Sequence, residues 1–208
     1  MKKRIPKHIG IIPDGNRRWA ACHGLDKKDG YQNGIDPGFQ LYELMLAEGI
    51  EEATFYGFTK DNNKRPTDQR DAFTGACIQA IHLLSHRDAN LRVIGNVNSP
   101  AFPPELKPYA NQTVAFGAGK INLNFLVNYD WKWDLQHAIK HGGIASQDIP
   151  RMDMIIRWGG RCRLSGFLPV QSVYSDIYVI EDYWPDFTPQ HFYDALRWYE
   201  TCDVTLGG

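Results

Sequence analysis

Residues 8–20 read His8-Ile-Gly-Ile-Ile-Pro-Asp14-Gly15-Asn16-Arg17-Arg18-Trp-Ala20, and this stretch sets the architecture. His8–Ile12 is an apolar run without alternation, the pattern of a strand covered on both faces. Pro13-Asp14-Gly15 ends it in a tight turn, and the polar residues that follow predict a helix that Asn16 can cap. Strand, turn and helix in immediate succession open an α/β unit. The amino end of such a helix presents free N–H groups and the positive pole of its dipole. Arg17 and Arg18 add charge-assisted donors, each hydrogen bond to an anion contributing about 1.5–3 kcal/mol. A carboxylate beside them, Asp14, suits a divalent metal shared with a phosphate. Taken alone, the stretch serves equally well as a capped helix with a solvated arginine pair.

The same grammar repeats along the chain. Further strands are predicted at Glu52–Phe58, Leu91–Gly95, Lys120–Asn128, Met152–Arg157 and Asp176–Glu181. Between them, Asp36-Pro37 reads as an N-cap and first helical proline, opening a helix to Glu48 that Gly49 stops. Residues 67–86 carry Phe73, Ala76, Cys77, Ala80, Ile81 and Leu84 at helical spacing. Thr188-Pro189 starts a last helix to Tyr199. With no repeat or linker, the expectation is one α/β domain over residues 1–208, with a six-stranded, largely parallel sheet flanked by helices. Ligands of such sheets bind beyond the carboxyl ends of the strands, so the loops there carry the chemistry.

Two more of those loops are basic: Phe58-Thr-Lys-Asp-Asn62-Asn63-Lys64-Arg65-Pro66, and Arg157-Trp-Gly-Gly-Arg161-Cys-Arg163-Leu-Ser165. Together with the first they bring Arg17, Arg18, Lys64, Arg65, Arg157 and Arg163 to one end of the sheet. The whole chain has 23 Lys and Arg against 24 Asp and Glu, a formal charge of −1. Cations gathered at one place in a neutral chain repel each other unless anions sit among them, which predicts more than one phosphate or diphosphate group. The neutral total argues against a nucleic-acid partner. No apolar run reaches the roughly 20 residues of a membrane span. The basic start is followed only by Ile9–Ile12, so no cleaved export signal is expected and the reading is cytoplasmic. Cys22, Cys77, Cys162 and Cys202 form no CxxC pair, and reduced thiols are expected. His82/His86 and His137/His141 have a spacing open to zinc but lack a third ligand, so solvated helix faces are the expected role.

Residues 8–20, 58–66 and 155–179, with Trp184-Pro-Asp-Phe187, resemble in order the signature motifs of the cis-prenyltransferase family, the undecaprenyl and Z-prenyl diphosphate synthases. The resemblance runs from residue 8 to the carboxyl end. It implies a homodimeric, magnesium-dependent α/β enzyme that ionises an allylic diphosphate and joins its carbon chain to a second five-carbon diphosphate. Carried over residue by residue, it makes Asp14 the metal and diphosphate carboxylate. Gly15, Asn16, Arg17, Arg18, Lys27 and Arg65 would hold the donor diphosphate, and Asn62 would stand by the reacting carbons. Arg157, Arg163 and Ser165 would hold the acceptor diphosphate. Asp176 stands where the family has a glutamate that helps hold Mg²⁺.

The sequence also departs from the family. Gly-Gly-Glu is Gly159-Gly160-Arg161, a charge reversal beside the acceptor pocket, and Tyr31 replaces a histidine at the donor site. Asn63 replaces an aromatic residue, and the terminal Arg-x-Gly is Thr205-Leu206-Gly207. The segment between Pro66 and Leu91, which walls the elongation tunnel in the family, is shorter than usual. A kept donor site beside a rebuilt acceptor site leads to the expectation of an irregular synthase resembling the lavandulyl type. Such an enzyme couples dimethylallyl or geranyl diphosphate head to middle onto dimethylallyl diphosphate. The alternatives are a regular short-chain Z-prenyl diphosphate synthase using isopentenyl diphosphate and a non-catalytic partner subunit.

Overall fold

The computed structural model describes residues 4–203. Its strands are β1 (His8–Ile12), β2 (Glu52–Tyr56), β3 (Ala89–Ile94), β4 (Val114–Phe116), β5 (Ile121–Leu126), β6 (Met154–Arg157) and β7 (Asp176–Val179). The helices are α1 (Asn16–Cys22), α2 (Ile35–Ala47), α3 (Thr67–Leu84), α4 (Trp131–His141) and α5 (Pro189–Thr201). The strands form one sheet in the order β4-β3-β5-β2-β1-β6-β7. Every neighbouring pair is parallel except β3 and β4. The sheet thus has seven strands rather than the six expected. The extra one, β4, is a three-residue antiparallel edge strand paired with Ala89–Leu91, too short to leave a periodic pattern in sequence.

β1 lies between β2 and β6, with Ile11 opposite Phe55 and Ile12 opposite Arg157. The loops after β1, β2 and β6 therefore leave the sheet at the same edge. Both faces of β1 are covered. Ile9 and Ile11, fully buried, belong to a core with Leu41 and Met45 of α2, Ile81 and Leu84 of α3, and Phe192 and Leu196 of α5. Ile12 faces the other way, into a smaller core with Ile155, Phe167 and Leu168. Gly10 makes room on that side: a Cβ there would stand 2.6 Å from Phe167 Cε1. Each fully buried Ile or Leu contributes about 1.5–3 kcal/mol.

His8 is 3% exposed, its Nδ1 within 3.1 Å of the Pro150 carbonyl and its Nε2 2.8 Å from Thr54 Oγ1. Burial lowers its pKa from 6.5 to about 4.

Helix starts differ from the sequence reading in two places. Gly15, at φ 108°, is the residue before α1, and Asn16 is its first residue, its Nδ2 donating back to the Pro13 carbonyl at 2.9 Å. Asp36 lies inside the first turn of α2 rather than at its cap, because a preceding 3-10 turn at Gln32–Gly34 runs directly into the helix. Thr188 caps α5 as expected, in a capping box with His191.

α4 carries exposed Trp131, Leu135 and Ile139, spaced four residues apart. Trp131 also lies over Gly166, where a Cβ would stand 2.7 Å from its Cδ1. Among the described residues, no helix is long and apolar enough to cross a membrane.

Candidate active site

The three loops enclose a cavity of about 620 Å³. Its wall includes Asp14, Gly15, Asn16, Arg17, Arg18, Lys27, Tyr31, Asn62, Arg65, Arg157, Arg163 and Ser165. Residues spread across 150 positions of sequence thus meet because their strands share an edge. Gly15 turns the chain so that α1 begins directly beneath the cavity. A Cβ at this positive φ would run into Tyr183, 2.7 Å away.

Asp14 and Arg157 form the floor. Asp14 Oδ2 accepts from Arg157 Nη2 at 2.8 Å, and Arg18 Nη2 lies 3.4 Å from Oδ1. The Arg157 side chain is only 3% exposed; its Nη1 donates to Ser165 Oγ at 3.1 Å and to the Arg163 carbonyl. One guanidinium therefore ties the β1 loop to the β6 loop. Arg157 Nε and Arg17 Nε are buried without a protein partner. Tyr56, whose phenol burial pushes well above its ordinary pKa, donates to the Ser165 carbonyl at 2.8 Å and fixes the same loop from β2. Arg18 rides 5.0 Å over the Tyr183 ring.

The wall holds six cationic side chains against two carboxylates, Asp14 and Asp61. Asp61 is engaged by Lys64 at 2.7 Å, which holds its pKa below the usual range. Arg17, Lys27, Arg65 and Arg163 have no carboxylate within ion-pair reach among the described residues. A surplus of this kind in a chain of net charge −1 is built to hold a polyanion. Two diphosphate groups bring up to about six negative charges.

Behind the cavity lies a second, apolar chamber of about 110 Å³, bounded by Phe39, Tyr42, Phe55, Leu84 and Phe125. The two spaces share Pro13, Asn16, Tyr31, Gly57 and Phe73. The α3 stripe read from the sequence does face this chamber, through Phe73, Ala76, Cys77, Ala80 and Leu84.

Three expected residues are not brought in. Asp176 opens β7 opposite Met154, three register positions before the partner of Arg157. That is about 10 Å along the strand, toward the amino end of a parallel sheet. It does not line the cavity, and within one chain it does not join Asp14 in a metal site. Arg161 is exposed and outside the wall, because Gly159 and Gly160, both at positive φ, turn the loop before it. Lys64 pairs with Asp61 outside the wall. Thr205-Leu206-Gly207 lies outside the described residues. Tyr56, Thr59, Asp61 and Tyr183 were missed; Tyr56 and Thr59 follow directly from the strand-end rule, since they close β2 and open its loop.

Among the described residues no group of three Asp, Glu, His or Cys side chains is placed to hold a metal ion. Mg²⁺ does not need one. It is bound through one or two carboxylates together with substrate phosphates and water, and Asp14, one-third exposed at the cavity floor, fits that role.

The fold and the convergence of these loops define an α/β enzyme of the undecaprenyl diphosphate synthase type. Residues 12–207 match the family described as "Putative undecaprenyl diphosphate synthase". An isoprenyl transferase of Nitrosomonas europaea is 30% identical, over 98% of this chain and 86% of its own. Among solved structures, lavandulyl diphosphate synthase from Lavandula x intermedia, in complex with dimethylallyl diphosphate, superposes with a TM-score of 0.80 at 21% identity, covering 98% of both chains. The structure described as "a probable undecaprenyl diphosphate synthase" from Campylobacter jejuni gives 0.77 at 21%, covering 99% of this chain and 100% of its own. At that identity both are likenesses of fold. The chain belongs to the cis-prenyltransferase family and is an isoprenyl transferase.

Proposed function

We propose that this enzyme ionises dimethylallyl or geranyl diphosphate and couples the allylic fragment head to middle onto dimethylallyl diphosphate, giving a short branched prenyl diphosphate. The observation that carries the reading is the pairing of a cation-rich cavity with an apolar chamber of only about 110 Å³. A dry cavity of about 150 Å³ holds one benzene, so this chamber takes roughly one five-carbon unit, the whole of a dimethylallyl tail or the far half of a geranyl one, rather than a long polyprenyl chain. The exposed Arg161 in place of a carboxylate, and the fold shared with a lavandulyl diphosphate synthase, agree with a modified acceptor side.

In this scheme Arg17, Arg18, Lys27 and Arg65 hold the donor diphosphate, while Arg157, Arg163 and Ser165 hold the acceptor's. The donor C1–O bond breaks heterolytically, the electron pair leaving with the diphosphate. The arginines stabilise the charge that builds there. Mg²⁺ held by Asp14 and diphosphate oxygens would supply Lewis-acid neutralisation of the same leaving group. The acceptor double bond attacks the allylic C1 through its C2. The resulting tertiary cation then loses a methyl proton. The two wall carboxylates are engaged by Arg157, Arg18 and Lys64, so the free base at hand is an oxygen of the departed diphosphate, with the neutral Asn62 carboxamide orienting it. The apolar neck keeps water from the cation.

The retained Arg157, Arg163 and Ser165 favour a second reading, regular Z-extension with isopentenyl diphosphate. Incubation with labelled dimethylallyl diphosphate, with and without geranyl and isopentenyl diphosphates, separates the two. Branched product from dimethylallyl diphosphate alone supports the first; linear Z-products that require isopentenyl diphosphate refute it. Loss of turnover in Asp14→Ala excludes a purely supporting subunit. The exposed stripe of Trp131, Leu135 and Ile139 supports assembly as a homodimer through α4.

A further inference from the structure

Tyr31 stands at the junction of the two chambers, only 5% exposed, its ring stacked on Phe73 with centroids 4.7 Å apart and planes 21° from parallel. Its hydroxyl oxygen accepts from Arg65 Nη1 at 2.7 Å. Arg65 lies with its guanidinium 5.6 Å from the Phe73 ring centroid and 5.8 Å from that of Tyr31. It is partly desolvated and is repelled by Arg17. Asp14 attracts it only from a distance, and no carboxylate among the described residues forms an ion pair with it. A cation on a flexible side chain in such surroundings would swing toward water without a fixed acceptor. The phenol supplies one that is neutral, so it aims the guanidinium without cancelling its charge, as a carboxylate would.

We propose that Tyr31 is a positioning residue for donor ionisation: its hydroxyl holds Arg65 at the neck, where the C1–O bond must break for the chain to lie in the apolar chamber and the diphosphate in the basic one. Tyr31 thus acts through Arg65 rather than on the substrate. This rests on the diphosphate reading of the cavity and assigns a task to the residue that replaces the family histidine. The charged groups facing the hydroxyl are Arg65 and Arg17 from the cavity side and Asp68 from α3. Burial keeps the phenol protonated through the neutral range, so the wild-type contact does not titrate there.

Two variants test it. Tyr31→Phe keeps the stacked ring and is expected to melt within a few degrees of wild type. Its kcat should fall about 10- to 100-fold, the worth of a hydrogen bond to a charged group, with a much smaller change in KM for the donor. Tyr31→His offers a neutral acceptor at pH 8 and should recover much of the loss. Burial and the facing Arg65 and Arg17 both disfavour the imidazolium, so the ring stays a neutral acceptor well below the pH at which a free histidine is charged. Wild-type kcat in Tyr31→Phe, or a Tyr31→His kcat no higher than that of Tyr31→Phe, overturns the proposal. Calorimetric binding of inorganic pyrophosphate keeps the readings apart. If wild type does not bind it, the diphosphate reading fails and takes this inference with it; if it binds and the variants behave as wild type, the inference alone fails.

Discussion

Replacing Asp14 by asparagine is expected to move two quantities in opposite directions. Asp14 is the carboxylate engaged by both Arg157 and Arg18, at 2.8 and 3.4 Å, in a wall that otherwise holds six cations and Asp61. Removing its charge leaves the wall more positive and frees two guanidinium groups for a ligand. For unit charges about 6 Å apart, Coulomb's law gives roughly 1–3 kcal/mol between the limits of water and an effective dielectric of 20. Pyrophosphate should therefore bind Asp14→Asn about 5- to 100-fold more tightly in the presence of EDTA. Turnover with Mg²⁺ should fall by at least about 10²- to 10³-fold, because the leaving group loses its metal-sharing carboxylate. The amide still accepts from Arg157, and Asp14 is partly solvated, so the stability cost stays near about 1–3 kcal/mol and a thermal melt verifies the fold. Titration calorimetry without metal and steady-state kinetics with it read the two effects. A folded Asp14→Asn that binds metal-free pyrophosphate more weakly than wild type would refute the electrostatic reasoning.

Leu84→Ala removes part of the boundary of the apolar chamber at a site only 5% exposed. It should cost about 2–4 kcal/mol of stability and shift the preferred donor one five-carbon unit longer, each added buried CH₂ returning about 0.8 kcal/mol; an unchanged product spectrum from a folded variant contradicts the chamber's role. His8 is held neutral, with its pKa lowered from 6.5 to about 4. The unfolded chain therefore binds the proton first, and stability should decline as pH falls from about 6.5 to 4, by up to about 3 kcal/mol. Urea melts at pH 7.5 and 5 measure this, and His8→Gln should flatten the dependence. Ile139→Glu places a charge on the exposed α4 stripe and should convert a dimer to a monomer in sedimentation; a wild-type protein already monomeric at micromolar concentration contradicts the α4 interface.

Where chemistry and local structure coincide, the sequence was informative. β1 was read to the residue because its apolar run is bounded by a charged segment and by Pro13-Asp14-Gly15. The convergence of Arg17, Arg18, Arg65, Arg157 and Arg163 followed from one rule, that parallel strands deliver their following loops to a common edge, whereas Lys64 stays outside the wall. The failures have physical causes. A proline near a helix start does not fix the start, since the first four N–H groups lack partners anyway, and α2 begins before Asp36-Pro37. Asn16 has the composition of a cap, but the left-handed turn was taken by Gly15. Within one chain Asp14 and Asp176 stand apart, because a residue that opens a strand of a parallel sheet lies at the edge opposite one that follows a strand. Tyr56 and Tyr183 act through contacts with loops far away in sequence, the β6 loop and α1, which no local pattern records.

Trp131 has one foot on each side of a boundary. It belongs to the apolar stripe of α4, 44% exposed, and it also covers Gly166, one residue beyond Ser165 in the loop that Arg157 and Tyr56 pin. Pressing a second copy against α4 would immobilise the indole and, through it, the loop that carries Ser165. Specific activity should then depend on protein concentration, falling on dilution as the subunits separate even though each chain keeps its own set of arginines.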